Sequence, residues 1–280
     1  MNLRSPAVWL LLAVGISGCS AIATGTTGPP ATAVAPAAAA VAPAGPKYLL
    51  ASQANMLALL PPPPAADSQA QRDDLEAVLE AQHAAHANGT IQHAIADVDL
   101  NCASIADALG DPDAVVRDPQ VLSFLNEAAR EGAALTGAAK NYWKRTRPFA
   151  FSSEVEALGD MAPAAKALRA SQGAVPMTSG SADLAHSSYP SGHSAFGTVC
   201  SILLADMVPE RRSAVFARGL DFAHSRMVLG AHFPSDLESG RLTGTVAAEL
   251  LMQNAGFQHD FVIARTHLRA ALGLAAEPAD

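Results

Sequence analysis

The chain has 280 residues, of which 50% are apolar, enough for one large core or two small ones, and this excludes overall disorder. A formal charge of −8 and a pI near 5.5, with no basic cluster longer than Lys144-Arg145 plus Arg147, exclude a general nucleic-acid binder. Aromatic residues make up only 5%, alanine is abundant and β-branched runs are few, so the expected architecture is all-α, with helices packed through small side chains.

At the N-terminus, Arg4 precedes an apolar stretch from Ala7 to Val14 and then Ile16-Ser17-Gly18-Cys19. This order reads as an export signal over residues 1–18, and its ending resembles a bacterial lipobox in which Cys19 becomes the lipidated first residue. The apolar stretch is too short to span a bilayer. Residues 19–46 form an Ala/Pro-rich tether without periodicity, leaving 47–280 as a single helical-bundle domain. Elsewhere no run reaches the roughly 18 apolar residues of a membrane span, so the domain is expected to be soluble and attached to a membrane only through the lipid. Export permits Cys102 and Cys200 to pair, but spacing alone leaves two buried thiols equally open.

After the prolines Pro61 to Pro64, the spacing predicts a helix over Asp67–Ala85, capped by Asp67 or Ser68, with Leu75, Val78 and Leu79 on one face. Short helices follow at Ile91–Ala96 and Cys102–Leu109. A longer one is expected over Pro119–Arg145, where Leu122, Leu125, Ala129, Ala133 and Trp143 make an apolar stripe. Ser153 to Ser188 is irregular and reads as loop around a short helix at Ala164–Ala170. Helices are then predicted at Ser194–Met207, Glu210–Ser225 and Ser235–Asn254, the last opening on a Ser235-Asp236-Leu237-Glu238 capping box.

Three blocks carry chemistry. Lys140 and Arg147 are seven residues apart, so on a continuous helix they point about 20° apart and roughly 10 Å along the axis, toward one pocket. The bland alternative is a solvated basic helix end shared with Lys144 and Arg145. Pro190-Ser191-Gly192-His193 precedes an apolar run, which puts the Ser191 hydroxyl, the Gly192 N–H and the His193 ring at a helix N-terminus suited to phosphate. Ser225-Arg226 leads to His232 in a turn. Asp236, four residues on, can orient that imidazole by accepting from one nitrogen or can serve as a helix cap.

Together these blocks read Lys-x6-Arg-Pro, Pro-Ser-Gly-His and Ser-Arg-x5-His-x3-Asp. They resemble the signature of the type 2 phosphatidic acid phosphatase and vanadium haloperoxidase superfamily, and within it the bacterial class A nonspecific acid phosphatases. The resemblance covers about Tyr48 to Gly256 and is supported by Arg145-Thr146-Arg147-Pro148-Phe149 and Gly230-Ala231-His232. It implies an exported, periplasmic or cell-envelope phosphomonoesterase of broad specificity. His232 would be the nucleophile forming a phosphohistidine, His193 the acid and base, and Asp236 the orienting carboxylate. Lys140, Arg147, Ser191, Gly192 and Arg226 would hold the phosphate oxygens, with small phosphomonoesters as substrates and neither metal nor cofactor. A homo-oligomer is left open.

Competing readings are a lipid phosphatase acting on phosphatidate or diacylglycerol pyrophosphate, a vanadium-dependent haloperoxidase with His232 as metal ligand, and a noncatalytic phosphate-binding lipoprotein. The two histidines argue against the last, since binding alone needs neither nucleophile nor acid. His83, His86, His93, His259 and His267 carry no metal-ligand pattern and read as surface or packing residues. His186 and His224 are closer to the motifs in sequence: His186 could line the substrate mouth or be a surface residue, and His224, directly before Ser225, reads as a supporting or exposed residue.

Overall fold

Local chemistry starts and stops the helices of the computed structural model, which describes residues 45–163, 166 and 184–276. The export signal, Cys19, most of the tether and most of the expected Ala164–Ala170 helix lie outside the described residues. Among the described residues the structure is helical and contains no strand. Short α1 (Met56–Leu59) precedes α2 (Gln69–Asn88), where the Ser68 hydroxyl accepts from the Gln71 N–H and Gly89, at φ +69°, ends the helix. Next come α3 (Ile91–Ala96) and α4 (Ala103–Ala106). Asp118 and Pro119 open α5 (Pro119–Ala134), which is followed by α6 (Gly137–Trp143) and α7 (Pro148–Phe151). Four longer helices complete the bundle: α8 (Gly192–Met207), α9 (Arg212–Val228), α10 (Pro234–Gln253) and α11 (Ala255–Ala271).

Helix α8 is the central element, flanked by α5, α9 and α10, while α11 lies against α5 and α10. Its Ala195, Phe196, Val199, Cys200, Leu203 and Leu204 are fully buried. Small residues allow α8 and α10 to approach closely: a Cβ on Gly240 would run into the Ser191 carbonyl and lie 2.8 Å from Ser194 Cβ. That contact brings the two helix N-termini together. Cys102 and Cys200 form a disulfide, with Cα atoms 5.6 Å apart, joining the segment before α4 to the middle of α8. A smaller apolar cluster, Val78, Phe149, Val155, Met161, Ala231 and Phe233, anchors the turn between α9 and α10 onto α2.

Several expected boundaries move for physical reasons. The continuous Pro119–Arg145 helix does not form: α5 ends at Ala134, and α6 ends where Lys144 turns left-handed at φ +44°. The capping box falls earlier than expected. Phe233 is the residue before α10, and its N–H donates to Asp236 Oδ2 at 2.8 Å, while Glu238 pairs with Arg241 on the surface. Helix α11, unassigned from sequence, buries Phe257, Ala264 and Leu268 and is capped by Asn254, whose Oδ1 accepts from the Phe257 N–H at 2.9 Å.

Candidate active site

Lys140 and Arg147 converge although no helix joins them. Lys140 Nζ donates to the Ser187 carbonyl at 2.7 Å, and Arg147 Nη2 reaches the same oxygen at 3.3 Å. The left-handed Lys144 and the extended Arg147 fold the chain back, and Pro148 starts α7. Arg147 is further fixed through Nε to the Leu184 carbonyl at 2.7 Å and through Nη1 to the Ala231 carbonyl at 2.8 Å. Burial is the main force lowering the Lys140 pKa to about 7 and that of Arg147 to about 10, followed by repulsion from Arg147 on Lys140 and from Arg226 on Arg147.

Arg226 occupies the last turn of α9 and is 1% exposed. Its Nη2 donates to Asp160 Oδ2 at 2.8 Å, whereas its Nε and Nη1 meet no hydrogen-bond partner among the described residues. A buried cation with unused donors is what an oxyanion site requires. The turn after α9 ties His232 to this arginine, since the N–H groups of Ala231 and His232 both donate to the Arg226 carbonyl, at 2.9 and 3.2 Å. Gly230 makes the turn at φ +69°, where any Cβ would strike the Glu156 carbonyl.

His232 is 1% exposed, and its Nε2 accepts from Arg147 Nη1 at 3.2 Å. The proton therefore resides on Nδ1, which faces Asp236 Oδ2 at 3.6 Å, beyond hydrogen-bond range. The expected Asp236–imidazole hydrogen bond is thus a longer electrostatic contact. Asp236 is instead occupied by Arg145 Nη1 at 2.7 Å, the Ser188 hydroxyl at 2.6 Å and the Phe233 N–H, so the cap role holds. Burial first, then Arg147, Lys140 and Arg226, push the His232 pKa well below its ordinary value.

Ser191 caps α8 by accepting from the Ser194 N–H at 3.2 Å, and its own N–H donates to the Asp236 carbonyl at 2.9 Å, holding the start of α8 against the start of α10. Gly192 lies beside Lys140: a Cβ there would be 4.0 Å from Lys140 Cε. His193 stacks on Phe222 and, through Nε2–H, donates to the Val98 carbonyl at 2.9 Å, leaving Nδ1 as its exchangeable nitrogen. Burial, followed by repulsion from Arg226, lowers its pKa to about 3.

The predicted pocket residues therefore gather in one region, while Cys19 lies outside the described residues. Sequence reasoning missed the supports. Arg145, named in a supporting block but given no role and placed on a solvated helix end in the bland alternative, is buried between Asp74 and Asp236, at 2.7 Å from each, and lies over the Phe233 ring. Asp160, Ser188 and the Val98 carbonyl carry no local signal. His93, Asp97 and Asp221 bring possible metal ligands together, but the Arg218 guanidinium already pairs with both carboxylates. His186 Nδ1 lies 3.1 Å from the Thr146 hydroxyl, next to Arg147.

The fold and site define an all-helical protein with a buried cationic pocket built around two histidines. A family model described as PAP2 superfamily matches residues 122–259. The non-specific acid phosphatase of Salmonella typhimurium is 30% identical over 214 residues, covering 75% of this chain and 78% of the relative. The acid phosphatase of Zymomonas mobilis is 29% identical across 80% of this chain and 79% of its own length, and the non-specific acid phosphatase of Providencia stuartii is 29% identical across 75% and 80%. The chain belongs to the PAP2 superfamily.

Proposed function

We propose that this protein is an acid phosphatase that hydrolyses phosphomonoesters through a phosphohistidine at His232. The observation that carries this reading is the His232 Nε2 lone pair, aimed at Arg147 within a buried group of three cations. In the first step, Nε2 forms a bond to phosphorus while the ester P–O bond breaks. The electron pair goes to the leaving oxygen, which takes a proton from His193 Nδ1. Water then adds its oxygen to phosphorus and gives a proton to His193, and the N–P electron pair returns to Nε2 as phosphate leaves.

Lys140, Arg147, Arg226, the Ser191 hydroxyl and the Gly192 N–H would hold the equatorial oxygens and stabilise their charge in the transition state. Asp236 favours the His232 Nδ1–H tautomer across the 3.6 Å contact and braces the turn through Phe233. The bound dianion offsets Arg226 and Arg147, the charges that repel a proton from His193, so the acid becomes charged as substrate arrives. His193→Ala should lose far more activity on alkyl phosphates than on 4-nitrophenyl phosphate, whose leaving group needs no proton. Equal losses on both would remove the acid role.

We further infer export and tethering through a lipid on Cys19. Among the described residues no helix is long and apolar enough to cross a membrane. Mass analysis of the mature N-terminus tests the anchor, and an unmodified terminus or one away from Cys19 would refute it.

A further inference from the structure

Asp160 is the carboxylate paired with Arg226, and the motifs do not include it. It lies in the short turn Gly159–Met161, which is fixed from several sides. Met161 is buried, and the Leu158 N–H donates to the Leu229 carbonyl at 3.2 Å. At Gly159 a Cβ would lie 3.3 Å from Leu229 and 3.4 Å from Val98, the residue whose carbonyl holds His193. The turn therefore wedges Asp160 between the end of α9 and the anchor of the imidazole. Its Oδ2 engages Arg226 Nη2 at 2.8 Å, and its Oδ1 is buried with no partner among the described residues.

The charges around His193 come from three directions. Arg226 on α9 and Arg147 before α7 repel a proton on the ring, the Val98 carbonyl accepts from it, and Asp160 attracts that proton. His232, in the turn before α10, is coupled to His193 as well. Asp236, the other carboxylate of the pocket, is engaged by Arg145.

Resting on the phosphohistidine reading, we propose that Asp160 is a positioning residue for the acid half of the reaction. It commits one nitrogen of Arg226, leaves Nε and Nη1 for the phosphate, and favours the protonated form of His193 in the substrate complex. The same negative charge opposes a bound dianion, so the residue trades ground-state affinity for a charged acid. It is among the charges that act on His193, whereas the largest acting on His232 after burial are Arg147, Lys140, Arg226 and His193, so its effect on the nucleophile is the smaller one.

The two limbs of the kcat–pH profile separate this role from a merely structural one. Activity falls at high pH as His193 loses its proton in the complex and at low pH as His232 gains one. Asp160→Asn should move the alkaline limb toward acid by about one pH unit, move the acid limb less, and tighten sulfate binding several-fold. The loss in kcat should be larger on alkyl phosphates than on 4-nitrophenyl phosphate. Should the Asn variant fail to fold, Asp160→Ser, which keeps an acceptor for Arg226, carries the same expectation, and Asp160→Glu should restore the limb. An unmoved alkaline limb, or an equal displacement of both limbs, overturns the proposal while leaving the phosphohistidine intact. A wild-type enzyme that forms no phosphohistidine defeats the underlying reading instead.

Discussion

Sulfate binding should take up protons, and the pH at which it does so should identify the groups responsible. Sulfate is a stable tetrahedral dianion, like the phosphate group of a monoester, but offers no bond to hydrolyse. The folded protein holds His193 at about 3, against an ordinary value of 6.5, and Lys140 at about 7, against 10.5. Both are lowered mainly by burial and by neighbouring cations, whose repulsion a bound dianion offsets. From pH 5 to 6.5 Lys140 is already charged, so uptake there belongs to the two histidines, His193 and His232, whose protons the same cations repel. From pH 7.5 to 9 it belongs to Lys140. Full coupling makes affinity rise tenfold for each pH unit of acidification, about 1.4 kcal/mol per proton.

The same displacement sets a stability slope. The unfolded chain protonates His193 near 6.5 while the folded chain does not until about 3, so stability falls as pH drops through that window. The loss from this one group is about 2 kcal/mol by pH 5. Calorimetric titration with sulfate in two buffers of different ionisation enthalpy counts the protons directly. His193→Gln should diminish uptake in the acid window and spare the alkaline one, whereas Lys140→Met should abolish the alkaline uptake and spare the acid one. Sulfate affinity that is flat from pH 5 to 9, with no proton uptake, would refute the electrostatic description of the pocket.

Three further outcomes test the scaffold. Reduction, or Cys102→Ser with Cys200→Ser, opens a link across 98 residues and should cost about 4–5 kcal/mol in a denaturant melt; a loss below 1 kcal/mol would contradict it. Gly240→Ala forces α10 away from the Ser191 carbonyl and should cost about 1–3 kcal/mol, with a raised KM because the phosphate-binding helix end moves. An unchanged KM would show that this contact does not position the site. Arg145→Met strands the buried Asp74 and Asp236 carboxylates and should destabilise by about 3–5 kcal/mol, whereas a neutral melt would mean that the pair contributes nothing.

The pocket was legible because its residues lie in short blocks whose local chemistry is strong. Ser191 caps a helix, Gly230 makes a turn, and Pro148 and Pro234 mark helix starts. Its supports were not legible, since Arg145–Asp74, Arg226–Asp160 and His193–Val98 join residues 66 to 95 positions apart, and no local pattern encodes such pairs. The break after Ala134 is masked by an apolar stripe that continues across it, with Thr136-Gly137 the only local hint. Helix α11 did carry a signal, in the Asn254 cap and the spacing of Phe257, Phe261, Ala264 and Leu268, although it falls beyond the motif-bearing region.

The most direct test is to quench the enzyme during turnover of a radiolabelled phosphomonoester and map the covalent phosphate. The proposed mechanism predicts an acid-labile, alkali-stable phosphohistidine at His232 that disappears, together with activity, in His232→Ala. Full activity in that variant, or label at any other residue, would contradict it.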